Sequence, residues 1–461
     1  MSGRHDRRAL LCQVATRVSD PSVLVVAAAA ATVATVGTIG ADARWVAALG
    51  RIVVERGAVP DGVPYAAAPS DGWPNVLVLA ESIFHGASAS LGERGFLLAQ
   101  VLAVSASFAL LAVDARRGGA TGRGTAAALF VLLLGALPAL VVVRLQLFSL
   151  ALFPLLLLLL RSDMREPSAR IWLLVPLVAV WSNLHGAVLV GLATAGAYLV
   201  LHRARIHAVS SLAVVAAAIV AVGATPALER TPSYYFGVLE NEAARQAFGL
   251  WARLSPTQPF DLLLIASAVL LVALAVRARP SVWELVAMAA IAVLTVRTAR
   301  SGVWLLMLAV APAARSLAVP RFPRLPTAPI ALILLAAAVG GLLRGPIETG
   351  GSDRVIDAAI AAAGGTPILA EPLLAEQVVH AGGRVWLANP LDAFRHADQR
   401  LYLDWLRDRP EGARALAHAP RVVLVDREGD APVDVIARDP RFRELARDET
   451  AIAYVRIGRE R

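Results

Sequence analysis

Residues 171–201 read IWLLVPLVAVWSNLHGAVLVGLATAGAYLVL and contain no Arg, Lys, Asp or Glu. Both flanks are apolar, and a polar knot of Trp181, Ser182, Asn183, His185 and Gly186 sits between them. A bilayer core is about 30 Å thick and takes about 20 apolar residues per helix. One helix over the whole stretch is too long. It would also strand Asn183 and His185 in mid-membrane, at a cost of a few kcal/mol. Two short spans joined by a tight turn at Ser182-Asn183 avoid both problems. In that arrangement Asn183 is a good N-cap for the second span, and Trp181 suits the membrane interface. A single tilted helix with a buried His–Asn hydrogen bond is the alternative.

The rest of the composition agrees with a membrane setting. The chain is 57% hydrophobic and only 17% charged, which points to a polytopic membrane protein and away from a soluble enzyme. The net charge is +9, and every basic residue is Arg. In a soluble protein that excess would suggest nucleic acid; here it fits arginines in cytoplasmic loops, and no nucleic-acid partner is expected. One cysteine, Cys12, excludes an internal disulfide. The basic N-terminus MSGRHDRRALL precedes an apolar run over 22–40. Ala41-Asp42-Ala43 resembles a signal cleavage site, but the run is longer than the roughly 7–15 residues of a signal peptide core. An uncleaved first helix with residues 1–21 in the cytoplasm is favoured.

Further spans are predicted at 95–113, 125–143, 145–160, 169–182, 184–201, 208–224, 261–276, 282–296, 301–314 and 328–343. With the N-terminus inside, eleven spans put the C-terminus outside. The loops then assigned to the cytoplasm hold Arg116, Arg117, Arg123, Arg161, Arg165, Arg170, Arg203, Arg205, Arg277, Arg279, Arg315, Arg321 and Arg324. All short Arg-bearing loops but one, that with Arg297 and Arg300, fall on this side. If 171–201 were one span, seven of those thirteen arginines would lie outside, against the positive-inside rule.

Three longer segments lie outside in this topology: loops 41–94 and 225–260, and a C-terminal domain over 350–461. In the first loop GRIVVERG is predicted to form a short interfacial helix. In the C-terminal domain PILAEP, RVWLANP, RVVLVD and AIAYVRIG read as strands. VIDAAIAAAG, LLAEQVVHAG, DQRLYLDWLRD, EGARALAHA and VDVIARDPRFRELA read as helices, giving a small α/β domain. It has no P-loop, no GxGxxG and no metal-ligand cluster. The expected fold is therefore an α-helical polytopic membrane protein, with about eleven transmembrane helices around residues 22–345 and a small extracytoplasmic α/β domain.

A few residues can carry chemistry. Asp42 follows the first span directly, where a general base would meet a substrate arriving from lipid and an acceptor arriving from water; its bland reading is a solvated charge at a helix end. Arg297 and Arg300 break the topology rule, and a guanidinium that binds lipid-linked phosphate would explain them as well as snorkelling does. Asn183 and His185 are candidates for a sugar hydroxyl or a phosphate, although a lone His is more often structural. Trp73 and Glu81 in DGWPNVLVLAES are candidates for stacking and hydrogen bonding on a carbohydrate; an interfacial Trp is the alternative.

Taken in order, these features resemble the integral-membrane glycosyltransferases of the GT-C fold, in particular bacterial members with a W-x-N-x-H-G segment. The resemblance rests on Asp42 after the first span, Gly50-Arg51 with Gly57 and Pro60 in the first loop, and Trp181-x-Asn183-x-His185-Gly186. The Arg297/Arg300 pair and the outer α/β domain complete it. It implies a plasma (inner) membrane enzyme that takes a sugar from a polyprenyl-phosphate donor to a glycan, lipid or protein acceptor. Asp42 would be the catalytic base, Arg297, Arg300 and Arg51 would bind donor phosphate, and Asn183, His185, Trp73 and Glu81 would bind substrate. Many GT-C members carry two acidic residues close together in the first loop; here Asp42 stands alone there, with no metal ligands assigned and a divalent cation left open as cofactor. Two other readings are kept. A transporter or flippase would use the broken central segment, and a non-catalytic scaffold would use residues 350–461 to bind envelope partners.

Overall fold

The computed structural model describes residues 20–317, 326–418, 421–427, 429 and 433–457. The N-terminal segment through residue 19, with Cys12, and the loop arginines Arg321 and Arg324 lie outside these residues. The chain opens with α1 (Pro21–Val36), whose start is set by Pro21 and by the Asp20 carboxylate accepting the Ser22 N–H at 2.9 Å. It leaves α1 through β1 (Thr38–Ile39) and forms the paired helices α2 (Ala43–Arg56) and α3 (Val78–Leu91). The helix expected at GRIVVERG is therefore longer, Ala43–Arg56, and has a second helix beside it. Then follow α4 (Glu93–Arg117), α5 (Gly122–Gly135), β2 (Val142–Val143), α6 (Leu147–Arg165), α7 (Leu174–Ser182), α8 (Val188–Tyr198) and α9 (Ala204–Val222). Four more bundle helices are α10 (Pro259–Arg277), α11 (Val282–Arg297), α12 (Gly302–Ser316) and α13 (Thr327–Arg344). Among the described residues, five helical stretches are long and apolar enough to cross a membrane, and three shorter apolar helices accompany them.

Side-chain contacts fix the direction of the central helices. Near the start of α6, Ser149 Oγ lies 2.7 Å from His185 Nδ1. Further along, a Cβ on Gly191 would meet Leu156 Cδ2 at 3.4 Å. At the far end, Asp163 Oδ2 accepts Tyr198 OH at 2.6 Å and Arg203 Nε at 2.8 Å. So α8 runs parallel to α6. Helix α7 returns from the far end of α6, because Trp181 Nε1 donates to Ser149 Oγ at 2.7 Å. The chain therefore reverses over 183–187, and residues 171–201 form two antiparallel helices. Asn183 stands at the C-terminal end of α7, not at the N-cap of the next helix. Residues 188–222 keep a nearly unbroken helical hydrogen-bond pattern, and a straight helix of that length would span about 50 Å. Yet Ala224 O accepts a hydrogen bond from Asn183 Nδ2 at 2.7 Å. The chain turns back at His207, whose φ of −130° and ψ of 59° break the helix.

The bundle thus has two ends. At one, Asp20 pairs with Arg116, and Arg161 pairs with Asp114 and Glu284. The other carries residues 40–91, the 183–187 turn, the 225–258 connection and the chain from 345 onward. Parallel pairing of β1 with β2, and of Thr38 with Ile347, ties three crossings together there. A Cβ on Gly341 would fall 2.3 Å from Ala34 O, so α1 and α13 touch backbone to backbone. The span expected over 125–143 is interrupted: α5 ends at Gly135, a short turn of helix with Pro138 follows, and residues 142–143 are extended.

Beyond residue 350, α14 (Asp353–Ala363), β3 (Ile368–Ala370), α15 (Pro372–His380), α16 (His396–Leu406) and β4 (Val422–Asp426) precede the hairpin β5 (Phe442–Arg447) and β6 (Ala451–Arg456). The sheet order is β3-β4-β6-β5, with β3 and β4 parallel and the rest antiparallel. Two sequence expectations fail here. RVWLANP makes only isolated bridges through Val385, to Ala66 and Ile368. RFRELA is rich in helix formers but is the edge strand β5, because pairing with β6 overrides propensity.

Candidate functional site

Asp42 owes its position to the β1–β2 pair. Gly40 donates to Val143 O at 3.1 Å, and a Cβ on Gly40 would meet Val142 Cγ1 at 2.3 Å and Arg144 Nε at 3.1 Å. Only glycine lets the two segments pass this closely, and the crossing carries Asp42 and Arg144 to one place. Asp42 has φ 92° and ψ −36°, a conformation that costs a non-glycine residue about 1–3 kcal/mol. Two contacts hold it. Its N–H lies 3.0 Å from both oxygens of Glu376, and its carbonyl accepts the Val46 N–H at 3.1 Å to start α2. Its carboxylate does not cap α2. Oδ1 accepts Trp45 Nε1 at 3.2 Å, and Oδ2 accepts no hydrogen bond among the described residues.

Two guanidinium groups share the field of this carboxylate. Burial lowers the pKa of Arg144, and Asp42 and Glu376 counter that; burial likewise lowers Arg300, and Asp42 counters it while Arg144 adds to it. Both groups remain cations, because guanidinium does not deprotonate in proteins. Arg144 Nε is buried without a hydrogen-bond partner. The Arg300 guanidinium lies 3.9 Å over the Trp251 ring, a cation–π contact that orients it. His185 feels the charge of Arg300. Ser149 Oγ accepts from Trp181 and so offers its own proton to His185 Nδ1, which the Ala187 N–H also approaches at 3.3 Å. The neutral ring therefore carries its proton on Nε2.

The remaining residues singled out from the sequence have these places. Asn183 Nδ2 donates to Ala179 O at 2.8 Å and to Ala224 O at 2.7 Å, while its carbonyl accepts the Ala80 N–H; it joins three segments. Arg51 donates to His380 O and Val379 O at 3.3 and 3.5 Å, at the C-terminal end of α15. Trp73 is buried, donates from Nε1 to Asp392 Oδ2 at 2.9 Å, and lies 6.2 Å from the Tyr234 ring. Glu81 is fully buried and accepts Asn75 Nδ2 at 2.9 and 3.0 Å; burial pushes its pKa up to about 8. Burial also raises Asp392, to about 6. Arg297 is exposed in the last turn of α11. Asp42, Arg300 and His185 come together, and Trp73 approaches them through Tyr234, which lies in the fields of both Asp392 and Asp42.

Sequence reasoning missed Arg144 and Glu376. Arg144 sits in the one-residue gap between the spans read at 125–143 and 145–160, on the same side as Arg300. It is a second exception to the charge rule, and that was its available signal. Glu376 had none: it is one carboxylate on an amphipathic helix of a distant part of the chain. Among the described residues, no group of three or more His, Cys, Asp or Glu is placed to hold a metal ion. The arrangement offers a carboxylate oxygen without a partner and two cations, which suits proton removal next to a developing anion.

No family model matches the chain, and no curated protein matches it. Among solved structures, it is similar to crystal structures of ArnT from Cupriavidus metallidurans. The apo form has a TM-score of 0.44 at 13% identity, covering 99% of each chain. The form bound to undecaprenyl phosphate has a TM-score of 0.41 at 14% identity, covering 98% of each chain.

Proposed function

We propose that this chain is a membrane glycosyltransferase that moves a sugar from a polyprenyl-phosphate donor to an acceptor hydroxyl on the outer side of the plasma membrane of a bacterium. In this reading the chain crosses the bilayer eleven times and residues 350–461 form an extracytoplasmic domain. The acceptor oxygen attacks the anomeric carbon, the bond from that carbon to the phosphate oxygen breaks, and the phosphate leaves with the electron pair. Asp42 takes the acceptor proton. Arg144 and Arg300 face the charge that develops on the phosphate, as bidentate donors suited to it. His185 presents its Nε2–H as a donor to the substrate.

One observation carries this reading: a carboxylate with an unpartnered oxygen lies in the field of two guanidinium groups, at the end of the bundle where the apolar helices stop. A lipid-tailed donor reaches such a place sideways from the bilayer, and a polar acceptor reaches it from water. The donor class rests on the GT-C resemblance of the Trp181–Gly186 motif and the first loop. The test is transfer of labelled sugar from polyprenyl-phosphate-sugar by purified protein in lipid. Asp42→Asn is expected to lower kcat by about 10²-fold or more, the scale of lost general-base catalysis, with unfolding unchanged. Full activity in that variant removes the base assignment, and an inactive wild type favours the scaffold.

A further inference from the structure

The strained backbone of Asp42 is held by a residue 334 positions away in sequence. Glu376 projects from α15 and is 0% exposed. Its Oε1 and Oε2 both lie 3.0 Å from the Asp42 N–H, and Oε1 also accepts Asn389 Nδ2 at 2.8 Å. Asn389 is fixed in turn, since its carbonyl accepts Tyr65 OH at 2.8 Å. The helix carrying Glu376 is itself docked: Arg51 donates to the carbonyls of Val379 and His380, and Ser88 Oγ lies 3.3 Å from His380 Nε2. Loop 41–94 and the C-terminal part of the chain therefore meet along α15, and the contact ends on the Asp42 amide. A φ of 92° persists at a non-glycine residue only when its surroundings over-determine it.

We propose that Glu376 is the positioning residue for Asp42, so that the site at the end of the bundle is complete only when α15 of the C-terminal part is docked on the first loop. The inference rests on the reading of Asp42 as base. Without the Glu376 acceptor, the Asp42 amide loses its partner and the residue relaxes out of its positive φ. The carboxylate then swings away from the acceptor, although every group in the site is still present. Burial and the neighbouring Asp42 both push the Glu376 carboxyl up, while its hydrogen bonds from Asn389 and the Asp42 amide and the charge of Arg44 oppose the shift. Arg44, Arg144, Tyr65 and Tyr402 are the other titratable groups that face it.

Glu376→Gln and Glu376→Ala separate positioning from bulk structure. Gln keeps an acceptor oxygen at the same reach, so it is expected to hold kcat within about twofold of wild type. Ala is expected to lower kcat by about 10²-fold, the scale of an ångström-sized misplacement, with KM changed less than about threefold. Hydrogen exchange at the Asp42 amide, followed on the intact protein in lipid, is expected to accelerate in Glu376→Ala and stay at the wild-type rate in Glu376→Gln. Wild-type kcat in Glu376→Ala, or unchanged exchange at Asp42, overturns the proposal. So does a Gln variant as impaired as the Ala variant. Should Glu376→Ala fail to fold, Glu376→Asp, which withdraws the carboxyl by one methylene, replaces it with the same expectation. If wild-type protein transfers no sugar, the glycosyltransferase reading falls, while the exchange measurement still decides whether Glu376 holds Asp42.

Discussion

The two ends of the helical bundle handle charge in opposite ways. At one end most of the buried charge is matched, although Asp114 Oδ1 accepts no hydrogen bond and has Arg165 Nη1 at 3.9 Å. Arg161 is 3% exposed and gives Nη1 to Asp114 at 2.6 Å, Nε to Glu284 at 2.9 Å and Nη2 to Leu308 O at 2.7 Å. Asp163 is likewise closed by Tyr198, Arg203 and the Ser168 N–H. At the other end Arg44 is paired with Glu93 at 2.7 Å, but Asp42, Arg144 and Arg300 share a field without forming an ion pair within 4 Å among the described residues. Arg144 Nε and Tyr235 OH are buried there with no partner. Asp42, Arg144 and Arg300 are half-buried, and a charge drawn partly out of water without a partner costs stability that a fold keeps only where something else offsets it. The matched end is therefore read as scaffold and the unmatched end as site.

That contrast breaks most visibly at Arg161. Replacing it by Met leaves Asp114 and Glu284 buried without their cation, and breaking such a set costs about 3–5 kcal/mol. The expected result is a large fall in the unfolding midpoint of the protein in detergent, while protein that remains folded transfers sugar at the wild-type rate. A fall in kcat with an unchanged midpoint would mean that the matched end also belongs to the chemistry.

Arg300→Ala is the mirror experiment. Removing one preorganised cation from a developing anion costs about 10²–10³ in kcat. The stability loss is confined to the contact with Trp251, about 0.5–1 kcal/mol. Steady-state transfer together with an unfolding curve reads both. An Arg300→Ala protein that is destabilised but fully active would make Arg300 a structural residue of the Trp251 loop.

What could be read in the sequence divides along the same line. The matched end was legible, since arginines in short loops mark a side by the positive-inside rule, and Arg116, Arg161 and Arg203 do so. The reversal within 171–201 followed from its length, from the cost of stranding Asn183 and His185, and from the side on which the later arginines fall. Asp42, His185 and Arg300 were legible as separate oddities: an acid after a span, a His between spans and an Arg on the wrong side. Their meeting was not. The approach of Asp42 to Arg144 depends on the parallel pairing of residues 38–39 with 142–143, two β-branched dipeptides that favour extended backbone but are too short to announce a pairing, and on a glycine gap at residue 40. Glu376 was beyond reach because its partner is a backbone N–H, which every residue but proline has. The strand β5 was misread because FRELAR has helix-forming composition and is extended only through its partner β6.

The smallest expected effect sharpens the comparison at the edge of the site. The Asp392 carboxyl, partly exposed and bonded to Trp73 Nε1, has its pKa raised by burial from 3.8 to about 6. In the unfolded chain it ionises near the lower value. Between the two, the folded state holds a proton that the unfolded state has released. Stability from this group is thus fully present below about pH 4 and is lost as pH rises to about 6. Each pKa unit corresponds to about 1.4 kcal/mol, and solvent at a partly exposed carboxyl screens part of it, leaving an effect of about 1–2 kcal/mol. Asp392→Asn keeps an acceptor for Trp73 and removes the titration, so its stability is expected to change less than wild type between pH 4 and 7. Denaturant unfolding at the two pH values measures this. If both proteins show the same dependence, Asp392 ionises freely. The aromatic wall of Trp73 and Tyr234 would then be wet, and the unmatched region would shrink to Asp42, Arg144 and Arg300.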